Sequence, residues 1–175
     1  MSTGCLAGVE MVNRPTDEKC VRLGANHANG DNPPNNVKLD CRVLLAEDGL
    51  DNQRLLSMIL QKAGAQLTIA ENGKIAVDLA LTAKHERCSF DVILMDMQMP
   101  VMDGYQSTTM LRAAGYTDPI IALTANAMST DRAKCIGAGC DDYISKPVDR
   151  AKLVSLVARY ASSQPRTVAD RKSVV

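Results

Sequence analysis

The sequence predicts an α/β fold, a doubly wound parallel sheet built from five strands that alternate with five helices. Three observations carry this. Between residues 41 and 163, short runs rich in Val, Ile and Leu recur without polar alternation, as strands buried on both faces require. Longer segments with apolar residues at helical spacing lie between them. The two textures alternate regularly, and a strand–helix–strand order joins parallel strands through right-handed crossovers.

The elements follow in order. The first strand is RVLLA at 42–46. A helix over 51–63 is capped by Asp51 and stopped by Gly64, and turns Leu55, Leu56, Met58, Ile59 and Leu60 toward the sheet. QLTIA at 66–70 is the second strand, and a helix over 73–84 carries Ile75, Ala76, Leu79 and Ala80. DVILM at 91–95 is the third strand, followed by a helix over 104–114 with Asp103 as its cap. PIIAL at 119–123 precedes a helix over 128–137. The weaker run DYIS at 142–145 is the fifth strand. The last helix, 149–161, is capped by Asp149 and presents Leu153, Leu156, Val157 and Tyr160 at i, i+3, i+4 and i+7.

Composition bounds the rest. A chain of 175 residues suits one domain. Residues 1–40 contain the Asn-, Gly- and Pro-rich stretch GANHANGDNPPNN and read as a flexible linker or disordered arm. Residues 164–175 read as a polar tail, leaving 41–163 as the domain. Twenty basic and twenty acidic residues cancel, which argues against nucleic acid or a membrane surface as a partner held by bulk charge. No apolar run approaches the ~18–20 residues of a membrane span, and the N-terminus lacks the pattern of a secretion signal; a cytoplasmic protein is expected. The six cysteines are scattered with no CxxC pair and are expected to stay reduced. Neither histidine has a second ligand at zinc-like spacing.

In sheets of this class, ligands bind beyond the carboxyl ends of the strands. Glu47 and Asp48 follow the first strand, Asp96 the third, Thr124 the fourth and Lys146 the fifth. Three carboxylates in one cleft repel one another unless a cation joins them. Hard oxygen ligands with no Cys or His beside them suit Mg²⁺. Lys146 adds a fixed positive charge, so the pocket fits a phosphoryl group between metal and lysine. Asp96, ending the central strand, is then the nucleophile that forms an aspartyl phosphate. Glu47 and Asp48 hold the metal, and Thr124 donates its hydroxyl to a phosphoryl oxygen. Asp141 and Asp142 are expected to be solvated, and Met95, Met97, Met99 and Met102 to pack in the core or loops.

The stretches VLLAEDGLDNQ at 43–53, DVILMDMQMPVMDG at 91–104, PIIALTANAM at 119–128 and GCDDYISKPVD at 139–149 resemble the receiver domain of two-component response regulators. They are most similar to receivers at the carboxyl end of hybrid sensor histidine kinases. One departure is TAKHERCS at 82–89, which lengthens the loop before the third strand. The resemblance implies a flavodoxin-like strand order, 2-1-3-4-5. It implies that a phosphohistidine on a histidine kinase or histidine phosphotransfer protein donates its phosphoryl group to Asp96. It further implies Mg²⁺ held by Asp48, Asp96 and the backbone carbonyl of Gln98, and by Glu47 through water. Thr124 and Tyr143 become the switch residues, with Lys146–Pro147 a cis peptide that aims the lysine at the pocket. Gln98 and Asn126 flank the path of attacking water and tune the lifetime of the phosphate. Partner binding changes on the face of helix 4, strand 5 and helix 5, where a homodimer also fits.

Other readings fare less well. A phosphatase of similar fold carries an aspartate as general acid two residues after its nucleophile; Gln98 stands there. A flavin-binding protein wants a hydroxyl- and glycine-rich phosphate loop after the first strand, where EDGLDN is acidic. The alternative kept open is an interaction module whose phosphorylation is dispensable.

Overall fold

A computed structural model of the chain describes residues 37–125 and 129–162. The element order is β1 (Arg42–Ala46), α1 (Leu50–Lys62), β2 (Gln66–Ala70), α2 (Gly73–His85), β3 (Val92–Asp96), α3 (Gly104–Ala113), β4 (Ile120–Thr124), α4 (Ser129–Ala138), β5 (Asp142–Ser145) and α5 (Arg150–Ser162). All strand pairs are parallel, in the order β2-β1-β3-β4-β5. The doubly wound architecture and the strand order expected from the resemblance are both present.

Two apolar layers hold the sheet. Alternate residues of the central strands (Leu44, Ile93, Met95, Ile120 and Ala122) pack under α2, α3 and α4. Their neighbours (Val43, Leu45, Val92, Leu94, Ile121 and Leu123) pack under α1 and α5. Every other side chain thus enters a different core, so these strands show no polar face. The edge strands differ: β2 is mostly exposed or half-buried and β5 is half-buried. Met95, Met97 and Met99 are core residues and Met102 packs against them.

Several expectations need correction. Helix α1 starts one residue earlier than expected, with Gly49 at its cap position and no side-chain cap bond. Asp51 is therefore not the cap; it lies in the first turn, where its charge still favours the helix N-terminus. The buried face of α1 is Gln53, Leu56, Ile59 and Leu60, while Leu55 and Met58 are exposed. At ~100° per residue, Leu55 and Met58 lie about 100° and about 160° around the helix from Leu56. Gly64 does follow the helix end, with φ +104, a conformation that favours glycine. In α2 the buried side is Ala76, Val77, Ala80 and Ala83; Ile75 is exposed. Residues 82–85 do not lengthen a loop, because they form the last turn of α2. The caps Asp103 and Asp149 are present: Asp103 accepts from the Gln106 N–H at 2.8 Å and Asp149 from the Lys152 N–H at 2.8 Å.

Strands β3 and β4 begin and end one residue later than expected. Asp91 stands just before β3, where its carboxylate accepts the backbone N–H of Arg42 at 2.7 Å. Asp96 and Thr124 are the last residues of their strands, paired in parallel register with Leu123 and Ser145.

Candidate functional site

The parallel topology brings every strand's carboxyl end to one edge, and the candidate residues meet there. Glu47 and Asp48 follow β1, Asp96 ends β3, Thr124 ends β4, and Lys146 follows β5 across a cis Lys146–Pro147 bond. The Lys146 ammonium donates to Asp96 Oδ2 at 2.7 Å and to Glu47 Oε2 at 2.8 Å. The lysine thus ties together side chains 50 and 99 residues away in sequence. Glu47 is 1% exposed, Asp96 4% and Thr124 5%, whereas Asp48 is exposed. The Gln98 N–H donates to Asp96 Oδ1 at 3.0 Å, which orients the carboxylate, and the Gln98 side chain is exposed.

The electrostatics follow from this packing. Burial raises the Asp96 carboxyl above its ordinary pKa, and the hydrogen bonds from Lys146 and Gln98 offset only part of that. Burial works to lower Lys146, but its hydrogen bonds to Asp96 and Glu47 outweigh burial and hold the ammonium above its usual value. The pocket therefore keeps a positive charge against the Asp96 oxygen.

One oxygen from each of Glu47, Asp48 and Asp96 lies within 4.8 Å of the others. Octahedral Mg²⁺ at ~2.1 Å from its ligands spaces opposite ligands by about 4.2 Å. The cluster is close to that span, its donors are all oxygen, and Asp48 opens to water for the remaining positions. The residues present fit Mg²⁺.

Tyr143 is half-buried in β5 and packs against the core under α4, with the Arg132 guanidinium 5.8 Å from its ring centroid. Asn126 lies outside the described residues, as do Cys5, Cys20 and His27. Cys41, Cys135 and Cys140 are buried thiols.

Sequence reasoning missed several residues that shape the site. Asn52 donates to Glu47 Oε1 at 2.9 Å, and buried Gln53 donates to the Glu47 carbonyl at 2.6 Å. The EDGLDNQ run contained the signal: Asn52 and Gln53 fall in the first turn of the helix that follows the acidic pair. Gly104 is the other, since a Cβ there would lie 2.2 Å from the Asp96 carbonyl oxygen. Asp141 and Asp142 are not merely solvated. Asp141 Oδ2 accepts from Arg112 at 2.7 Å and from the Ile120 N–H at 2.8 Å, and Asp142 accepts from Arg159 and Tyr160.

The family model for the response regulator receiver domain matches residues 43–158. A hybrid signal transduction histidine kinase of Dictyostelium discoideum is 39% identical over 120 residues; the match covers 66% of this chain and only 7% of that kinase. The receiver domain of a sensor histidine kinase from Pseudomonas aeruginosa PAO1, solved with a magnesium ion coordinated in its active-site cleft, is 42% identical with TM-score 0.63. That likeness covers 70% of this chain and 98% of the other. The receiver domain of a Saccharomyces cerevisiae response regulator, solved with its histidine phosphotransfer protein, is also similar: 28% identity, TM-score 0.63, 74% and 94% covered. From residue 43 to residue 158, this chain belongs to the response regulator receiver domain family.

Proposed function

We propose that the chain is a phosphorylatable switch of a two-component phosphorelay. Asp96 accepts the phosphoryl group of a phosphohistidine on a histidine kinase or histidine phosphotransfer protein. The carboxylate oxygen attacks phosphorus, the nitrogen–phosphorus bond breaks, and the histidine leaves as imidazole. The observation that carries this reading is Lys146 set between Asp96 and Glu47 at 2.7 and 2.8 Å, with Asp48 and Thr124 completing the same edge.

Asp48, Asp96 and the Gln98 carbonyl, with Glu47 through water, are the residues that would hold Mg²⁺. When bound, the ion neutralises charge on the phosphoryl oxygens during transfer. Lys146 turns from Asp96 to the new phosphoryl group, and Thr124 donates its hydroxyl to it. Tyr143 then turns inward, and the α4–β5–α5 face changes partners or pairs with a second copy. A new dianionic group that biases two conformations is sufficient for this. Gln98 and Asn126 set how fast water removes the phosphate, so the domain promotes its own phosphorylation and dephosphorylation without being a kinase. Residues 1–40 act as a linker and 164–175 as a tail, and the protein works in the cytoplasm.

The test is incubation with acetyl phosphate and Mg²⁺, read by intact mass, with Asp96→Asn alongside. A phosphate-sized gain that needs both Mg²⁺ and Asp96, and decays spontaneously, is expected. Labelling that persists in Asp96→Asn would overturn the assignment. No labelling from acetyl phosphate or from a phosphohistidine donor would favour the interaction module whose phosphorylation is dispensable.

A further inference from the structure

Glu47 is the most buried carboxylate of the site, and both its oxygens have donors. Oε2 accepts from Lys146 at 2.8 Å. Oε1 accepts from Asn52 Nδ2 at 2.9 Å and from the Gly49 N–H at 3.3 Å. The two donors differ in kind. Lys146 is shared with Asp96, and in the proposed mechanism it leaves for the phosphoryl group. Asn52, itself exposed, sits in the first turn of α1, and among the described residues its side chain bonds Glu47 and neither Asp96 nor Lys146. A second feature protects the contact: a Cβ at position 49 would come within 3.1 Å of Glu47 Oε1 and 3.4 Å of Asn52 Nδ2. An added Cβ would therefore crowd Glu47 Oε1 by a few tenths of an ångström.

We infer that Asn52 is a positioning residue for the metal site. It keeps the Glu47 carboxylate facing Asp48 and Asp96 whether or not Lys146 is engaged with Glu47. Without it, Oε1 retains only the long contact to Gly49, and a buried carboxylate left short of donors turns toward whatever donor remains. That donor is Lys146, so the carboxylate's orientation would then depend on the lysine it shares with Asp96. Partners of direct metal ligands typically change metal affinity 10–100-fold, and Asn52 acts one step further out, on a group that holds the ion through water, so its effect falls at or below the lower end. The inference rests on the Mg²⁺ reading of the acidic cluster.

The test is a Mg²⁺ titration of the unphosphorylated full chain, followed by amide chemical shifts at the site, with metal-free melting measured in parallel. Asn52→Leu keeps the branched outline of the side chain and removes the donor. It is expected to raise the Mg²⁺ dissociation constant several-fold, up to about tenfold, while metal-free melting stays within a few degrees. Gly49→Ala, which crowds the same oxygen, is expected to weaken Mg²⁺ in the same direction. Asn52→Leu and Gly49→Ala proteins that both bind Mg²⁺ as the parent does would overturn the role of Asn52. A parent protein that binds no Mg²⁺ would instead overturn the metal reading beneath it, so the two failures are distinguishable.

Discussion

Replacing Gly104 with Ala tests how tightly the strand that ends in Asp96 is braced. The added Cβ would meet the Asp96 carbonyl oxygen at 2.2 Å, Met97 Cε at 2.6 Å and Met97 Cα at 2.8 Å. The methionine tip can move, but the carbonyl belongs to the sheet. Ordinary contact begins near 3.4 Å, so the N-terminus of α3 must retreat by about 1.2 Å from the end of β3. That retreat strains the Gly104 N–H bond to the Met97 carbonyl, already 3.3 Å long, and loosens Ser107, Thr108 and Leu111 beneath the helix. Overpacking of this kind costs about 3 kcal/mol when backbone must move. For about 120 residues the entropy of unfolding is about 0.25 kcal/mol per degree, so melting falls by about 12 °C. Circular dichroism melts and urea titrations measure this directly. The control is the same change at Gly137, late in α4, where an added Cβ meets nothing within 4 Å. Gly137→Ala is expected to raise stability by about 0.5–1 kcal/mol. If Gly104→Ala melts within 2 °C of the parent, or the two variants shift alike, the steric argument is refuted.

The remaining predictions concern charge and thiols. Lys146→Ala is expected to accept phosphate from acetyl phosphate and Mg²⁺ by intact mass, yet show a weakened phosphate-dependent change in Tyr143 resonances; an unchanged response would remove the lysine from switching. Arg112 donates to the carbonyls of Tyr116, Asp118 and Gly139 and to the Asp141 carboxylate. Since the three carbonyl bonds are half-buried, the carboxylate bond is exposed and the four are not additive, Arg112→Met should cost about 2–3 kcal/mol, read as a lower urea midpoint. Burial pushes the Cys41 thiol up to about 12 and Cys140 up to about 11. At pH 8 their thiolate fractions are then about 10⁻⁴ and about 10⁻³, so maleimide mapping by mass should find half-exposed Cys88 modified before either. The sign for stability follows: the unfolded thiols ionise first, so stability falls as pH rises above ~8.5 toward these raised values. Melting that improves from pH 8.5 to 10 would contradict it.

What could be read from the sequence, and what could not, divides along physical lines. Strand positions were legible to within one residue because apolar runs facing two cores leave little freedom. The ends of β3 and β4 were not, because Asp96 and Thr124 are polar yet still carry ladder hydrogen bonds, and composition cannot say where a ladder stops. Leu55 and Met58 read as core because they are apolar, but only the angle of α1 against the sheet decides which side of the helix is covered. Asp141 read as solvated because its partners, Ile120 and Arg112, lie 21 and 29 residues away. The bond from Asn52 to Glu47 depends on where α1 begins, the boundary the sequence reading placed one residue late. Glu47 and Lys146 are 99 residues apart and were nonetheless recognised as neighbours, because both stand at strand ends. A parallel sheet turns that one-dimensional property into spatial proximity. Residues held by topology alone can therefore be recognised from their place in the repeat, whereas those held by a particular helix angle or turn become visible only once that geometry is known.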